Sequence, residues 1–203
     1  MESKWFEEWR EPRVVFRAAH KGILACYGAD TTPPQHLRNA YVAGLFACIW
    51  QDACGPCEVQ LVPESEQFPD AKLKTGSTVL DLEVTMALGA NKKMFKEWRE
   101  GRAKAKRGEI VYSESTEQRQ ANAREAIPRV VGEKAGRHYT ASPKLTLLVY
   151  ADDGRALSPK EMAELTEPWK DCFRDIYLLC GMDAVRVWPT RCVLSGKEPP
   201  WAS

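Results

Sequence analysis

FPDAKLKTGSTVLDLEVT, residues 68–85, is the stretch that decides the fold. From position 79 its residues alternate, Leu80, Leu82 and Val84 on one side and Asp81, Glu83 and Thr85 on the other, which is the period of a half-buried strand. The run before it alternates too: Ala71 and Leu73 share one face, and Asp70, Lys72 and Lys74 share the opposite one. Thr75-Gly76-Ser77 folds the two runs antiparallel, because glycine supplies the positive φ of a tight hairpin. The register of that hairpin fixes what its polar face can do. With residues 74 and 77 flanking the loop, Asp70 lies opposite Asp81; with 74 and 79 flanking it, Asp70 lies opposite Glu83 and Lys72 opposite Asp81. Either arrangement gathers carboxylates on one face, whereas a three-residue loop pairs Asp70 with Leu82 and splits the cluster. Directly opposed Cβ atoms stand roughly 4.5–5.5 Å apart, close enough for two carboxylates to share a divalent cation. The plain alternative is a solvated strand face bearing ordinary surface acids, against which the Pro69-Asp70 step and the hairpin weigh.

Upstream, residues 35–52 place Leu37, Tyr41, Val42, Leu45, Cys48 and Ile49 at the 3-and-4 spacing of a buried helical stripe. Gly55-Pro56 ends that helix, and residues 57–62 read as a strand with Val59 and Leu61 inward. Residues 1–34 form an N-terminal helical cap in which Trp5, Phe6 and Trp9 recur at helical spacing, Pro12 interrupts, and an apolar-rich segment resumes over 14–27.

Downstream, residues 90–106 predict a helix anchored by Met94, Phe95 and Trp98. Lys92, Lys93, Lys96, Arg99, Arg102, Lys104, Lys106 and Arg107 stand against Glu97 and Glu100, a net charge of +6 over the sixteen residues 92–107. A solvated helix laced with Lys/Glu pairs has such a composition. Directly after an acidic strand, the same charge also suits a phosphate backbone. Residues 109–112 suggest a short strand, and a helix runs from 115 to about 136 with Pro128 expected to kink or split it. KLTLLVY, residues 144–150, is near-continuously apolar and is expected at the centre of a sheet, buried on both faces. Asp152-Asp153-Gly154 turns the chain. Ser158-Pro159 opens a helix expected to continue through Met162, Leu165 and Trp169 to Cys180, with Gly181 stopping it, 184–188 as the last strand and 196–203 as a tail.

The 203 residues suffice for one substantial core, so residues 1–203 read as a single domain. The 29 basic and 28 acidic side chains leave a net charge of +1, so only local charge argues for a partner. No run approaches the length of a membrane span, and the N-terminus is charged from its second residue, unlike a secretory signal. Seven cysteines at irregular spacing are expected to be reduced, as in a cytoplasmic protein. Cys54-Gly-Pro-Cys57 has the residue string of thiol redox sites, but it follows a helix and leads into a strand, the reverse of their context. No second Cys-x-x-Cys completes a zinc site.

A helix, three strands with Pro69-Asp70 at the second and an acidic third, then helix and strand, resembles the PD-(D/E)XK nuclease superfamily over roughly residues 35–150. The motif residues are Pro69-Asp70 followed by Asp81-Leu82-Glu83 or Glu83-Val84-Thr85. The resemblance implies an α/β (α+β) fold with a restriction-endonuclease-like αβββαβ core, its mixed central sheet flanked by helices, and with 1–34 and 151–203 as additions. It implies that Asp70 and Glu83 hold Mg²⁺ or Mn²⁺, with Asp81 at the ion or just behind it. In that family a final Lys orients or activates the attacking water. Here Thr85 stands at its place if Glu83 is the middle acid, and Glu83 stands there if Asp81 is. Lys72, on the strand face of Asp70, and Lys134, in a later helix to which some members have moved this lysine, are the candidates to replace it. A helical Glu, frequent upstream in the family, is absent from 35–52. The implied activity is metal-dependent phosphodiester hydrolysis of nucleic acid, DNA in the first instance, with Lys92, Lys93, Lys96, Arg99 and Arg102 holding the flanking backbone; a homodimer is compatible with it. The alternatives are a catalytically silent nucleic-acid-binding or protein-interaction module on the same fold, and a thiol redox protein using Cys54 and Cys57.

Overall fold

The computed structural model describes residues 8–29, 31–63, 65, 69–88, 100, 101, 103, 104, 107, 108, 114–137 and 144–197. Lys92, Lys93, Lys96, Arg99 and Arg102, and the strand expected at 109–112, lie outside them. The chain opens with α1 (Pro12–Gly28), capped by the Glu11 side chain, which accepts from the Arg13 N–H. Pro12 therefore starts this helix; Trp5 and Phe6 lie outside the described residues. A first-turn proline forfeits no intrahelical bond and arrives with helical φ. The second helix, α2 (Gln35–Cys54), is buried at Leu37 and continuously from Asn39 to Ile49, and Gly55 ends it at φ 104°. Small residues let α1 and α2 cross closely: a Cβ on Gly44 would sit 2.9 Å from the Phe16 Cα.

Among the described residues seven strands follow, β1 (Glu58–Leu61), β2 (Ala71–Thr75), β3 (Thr78–Met86), β4 (Leu145–Tyr150), β5 (Asp175–Cys180), β6 (Asp183–Trp188) and β7 (Cys192–Ser195). Their spatial order is their chain order. β3, β4 and β5 are mutually parallel and the remaining neighbours antiparallel, so the sheet is mixed. The two parallel steps need crossovers. One contains α3 (Thr116–Ala135) and the other α4 (Pro159–Thr166).

Side-chain alternation sorts these helices onto two faces. Leu80, Leu82, Val84, Leu148 and Tyr177 pack with α1 and α2, while Leu147, Val149, Ile176 and Leu178 pack with Ile127 and Val131 of α3 and Met162 of α4. All six residues of β4 are buried, as its unbroken apolar run implies. The result is a mixed α/β fold with helices on both sides of the sheet.

The hairpin adopts the second of the two even registers. Lys74 pairs with Val79, Lys72 with Asp81 and Thr75 with Thr78, around a turn in which Gly76 has φ 57°. Three expectations fail elsewhere. Pro128 does not split α3, which runs through it from Thr116 to Ala135 after a Ser115 cap. The helix expected to reach Cys180 stops at Thr166, and residues 175–180 are β5. DIYLLC is apolar without alternation and buried at five of its six positions, a pattern that fits a doubly covered strand and a buried helix equally. Gly181, at φ 68°, belongs to the β5–β6 turn. β6 is not the last strand either, since β7 pairs with it at the edge.

Candidate functional site

Asp70 stands just before β2, where the register that pairs Ala71 with Leu82 continues toward Glu83. Its backbone N–H donates to the Leu82 carbonyl at 2.9 Å. The Val84 N–H donates to Asp70 Oδ2 at 2.8 Å, and Asn39 Nδ2 of α2 donates to Asp70 Oδ1 at 2.6 Å. Asn39 is itself only 6% exposed, and its Oδ1 accepts from Gln35 Nε2 at 2.7 Å. Gln35 Oε1 in turn accepts from Arg38. A polar chain thus leads from the first turns of α2 to the Asp70 carboxyl. Burial pushes the Asp70 pKa up to about 6, and the charge of Glu83 adds to the rise. The Val84 N–H, Lys134 and Arg137 pull the other way.

Glu83 is 2% exposed and faces the α3 side of β3. Its Oε1 is ion-paired and hydrogen-bonded to the Lys134 ammonium from the last turn of α3, and both side chains are withdrawn from water. Taking two charges out of water costs several kcal/mol apiece, which close pairing offsets. Of the two lysines considered, α3 brings Lys134 to the acids. Lys72 instead sits across the hairpin from Asp81. Thr85 shares the Glu83 face and lies opposite Val149 of β4.

The three-carboxylate set Asp70, Asp81 and Glu83 is not assembled. Among the described residues no group of three or more His, Cys, Asp or Glu could hold a metal ion by itself. Asp81 lies two residues before Glu83, roughly 7 Å along the strand, with Lys72 as its cross-strand neighbour. What remains is the pair Asp70 and Glu83, close enough for one charge to perturb the other. Two carboxylates are a donor set of the kind a hard divalent cation takes. Mg²⁺ is commonly held by one or two carboxylates with water completing its shell, and each Asp70 oxygen that accepts one hydrogen bond keeps a second lone pair.

Sequence reasoning missed Asn39 and Gln35. The signal available was an asparagine heading the run 39–49, which carries no other amide or charged side chain, because a buried amide there needs partners. The cysteines behave as structural thiols. Cys54 is the last residue of α2, at the end of the helix whose dipole opposes a thiolate. Burial raises its pKa and pushes that of Cys57 up to about 12, opposite to the depression a redox nucleophile needs. Cys57 Sγ donates to the Ala47 carbonyl at 3.4 Å, and all seven cysteines are free. No helix among the described residues is long and apolar enough to cross a membrane. No protein-family model, curated protein or solved structure matches the chain.

Proposed function

We propose that the chain is a divalent-metal-dependent nuclease of the PD-(D/E)XK, restriction-endonuclease-like type, hydrolysing phosphodiester bonds of nucleic acid, DNA in the first instance. The observation that carries this reading is the Lys134 ammonium on the Glu83 carboxylate beside Asp70. Two acids and one amine, all withdrawn from solvent, match the charge set of that chemistry, with the amine delivered by α3 where Thr85 has none. The run of elements from α2 through β1, β2 and β3 to α3 and the parallel β4 agrees with the proposed core.

Asp70 and Glu83 would hold the ion, which when bound supplies a Lewis acid and an acidified water. Asn39 and the Val84 N–H fix the Asp70 carboxyl so that its remaining lone pairs stay aimed. Lys134 orients Glu83 and adds positive charge where negative charge grows on the phosphoryl oxygens. Lys92, Lys93, Lys96, Arg99 and Arg102 would neutralise flanking phosphates.

A nicking and degradation assay with Mg²⁺ or Mn²⁺ tests the proposal. Turnover is expected in the parent and absent in the Asp70→Asn, Glu83→Gln double variant, and turnover surviving in that variant contradicts the assignment. Salt-sensitive binding with no turnover under either ion would instead favour a silent nucleic-acid-binding module.

A further inference from the structure

A concave feature apart from the acidic pair opens at the carboxyl ends of β4 and β5, on the face covered by α1 and α2. It is a cavity of about 260 Å³, smaller than the usual drug-sized site. Tyr150, the last residue of β4, and Tyr41 of α2 form one wall, their ring centroids 6.1 Å apart and nearly edge-on. His20 of α1 completes the aromatic lining, its ring 6.2 Å from that of Tyr41. At the polar end, Arg155 Nη2 pairs with Asp152 Oδ1 at 3.0 Å, with both side chains about half exposed, at 52% and 46%. Arg155 lies flat against Gly181, where a Cβ would fall 2.1 Å from its Nη2, so only glycine leaves the guanidinium in that position.

The cavity is joined to the acidic pair by two elements. On α2, Tyr41 lies two positions beyond Asn39, the residue that holds Asp70, about 3 Å along the helix axis but with its side chain on another face of the helix. On β4, Tyr150 follows Leu148 by two positions, and Leu148 pairs with Val84, whose N–H also holds Asp70. Leu148 and Val84 lie on neighbouring strands roughly 4.8 Å apart and two residues of strand add roughly 7 Å; the cavity shares the α1–α2 face of the sheet with Asn39, while Glu83 of the pair faces α3.

We propose that this cavity receives one base of the nucleic acid bound at the acidic pair, and that the base carries both an amino and a carbonyl group, as guanine and cytosine do. Aromatic rings and a guanidinium plane are the surfaces on which unstacked bases settle. A guanidinium fork donates to base carbonyls, and a carboxylate accepts from base amino groups. The pair at the cavity's end offers both at once. Adenine lacks the carbonyl and uracil the amino group, so each leaves one partner of the pair unanswered.

The inference rests on the nuclease reading for the identity of the ligand but is tested apart from catalysis. Binding of GMP, CMP, AMP and UMP to the full chain and to Asp70→Asn is measured by NMR titration in chelator. GMP and CMP are expected to bind at least about tenfold more tightly than AMP and UMP, equally well to both proteins, with shifts at Gly181 and Tyr150. Arg155→Met is expected to abolish the preference, and Asp152→Asn to weaken it. Equal affinity for all four, or a preference that survives Arg155→Met, overturns the base pocket. So does the absence of any binding, whether or not the chain cleaves nucleic acid. Selective binding without turnover upholds the pocket and counts against the nuclease reading alone.

Discussion

Asp70 carries an electrostatic tension that can be measured. Its carboxyl is raised from 3.8 to about 6 in the folded chain, chiefly by burial and then by Glu83. The folded state therefore binds a proton more tightly than the unfolded one, and the stability this confers is full below pH 3.8 and lost as pH rises through about 6. In chelator, replacing the acid by Asn removes a buried charge that disfavours folding at neutral pH. Asp70→Asn is accordingly expected to raise stability at pH 7.5, by at most about 3 kcal/mol at 1.4 kcal/mol per pH unit, with the gain fading below pH 4. Urea unfolding at the two pH values checks this: because the Asn amide can accept only one of the two hydrogen bonds, the readout is the stability of Asp70→Asn relative to the parent, and a difference that does not shift in favour of the variant between pH 4 and pH 7.5 contradicts the buried, unfavourable charge. In the same measurement, millimolar Mg²⁺ should stabilise the parent above pH 6 and leave Asp70→Asn unmoved, since a ligand that binds only the folded state adds RT ln(1 + [L]/Kd).

At the scale of elements, the hairpin and α3 divide the work, and they were unequally legible. Alternation in residues 79–85 identified β3 and its acidic face, and loop parity narrowed the register to two choices. Only the fold selects the one that sets Lys72 against Asp81. Lys134 could be named only beside Lys72 and only through the resemblance; choosing between them depends on the rotation and docking of α3 over β3, which a helix of twenty residues of mixed charge does not encode locally. β5 was lost for a different reason, its continuous apolar run being compatible with either period. Asn39 was hidden by its apolar neighbours. The α1–α2 crossing, by contrast, rests on one small residue and yields a clear expectation. Gly44→Ala drives a Cβ to 2.9 Å from the Phe16 Cα and N, so the helices must separate. Overpacking of this kind costs about 1–3 kcal/mol, measurable as a lowered Tm, and an unchanged Tm would show that the helices do not cross so closely.

For the whole molecule, Glu83 sits at mid-length of the parallel β3–β4 ladder, opposite Leu147, whereas the cavity beside Tyr150 and Gly181 lies at the carboxyl ends of the parallel strands, where open α/β sheets commonly bind ligands. The net charge of +1 conceals a segment of +6 over 92–107, which enters the chain between β3 and α3, the two elements that carry Glu83 and Lys134. If this segment neutralises a nucleic-acid backbone, reversing Lys92, Lys93 and Lys96 to Glu is expected to weaken binding uniformly across sequences. It should also flatten the dependence of log K on log salt, by roughly 0.7–0.9 for each phosphate no longer neutralised. A slope unchanged by the triple reversal would assign the segment another task.

The central claim is that Lys134 supplies the amine for which Thr85 has no equivalent, and relocation tests it most directly. Cleavage with Mg²⁺ is compared among the parent, Lys134→Met and the double variant Thr85→Lys, Lys134→Met, with folding of each confirmed by circular dichroism. The account predicts turnover in the parent, a loss of about a hundredfold or more in Lys134→Met, as removal of one positioned charge at a transition state typically costs, and partial recovery when the lysine is returned through Thr85. Folded Lys134→Met cleaving at the parental rate would contradict it.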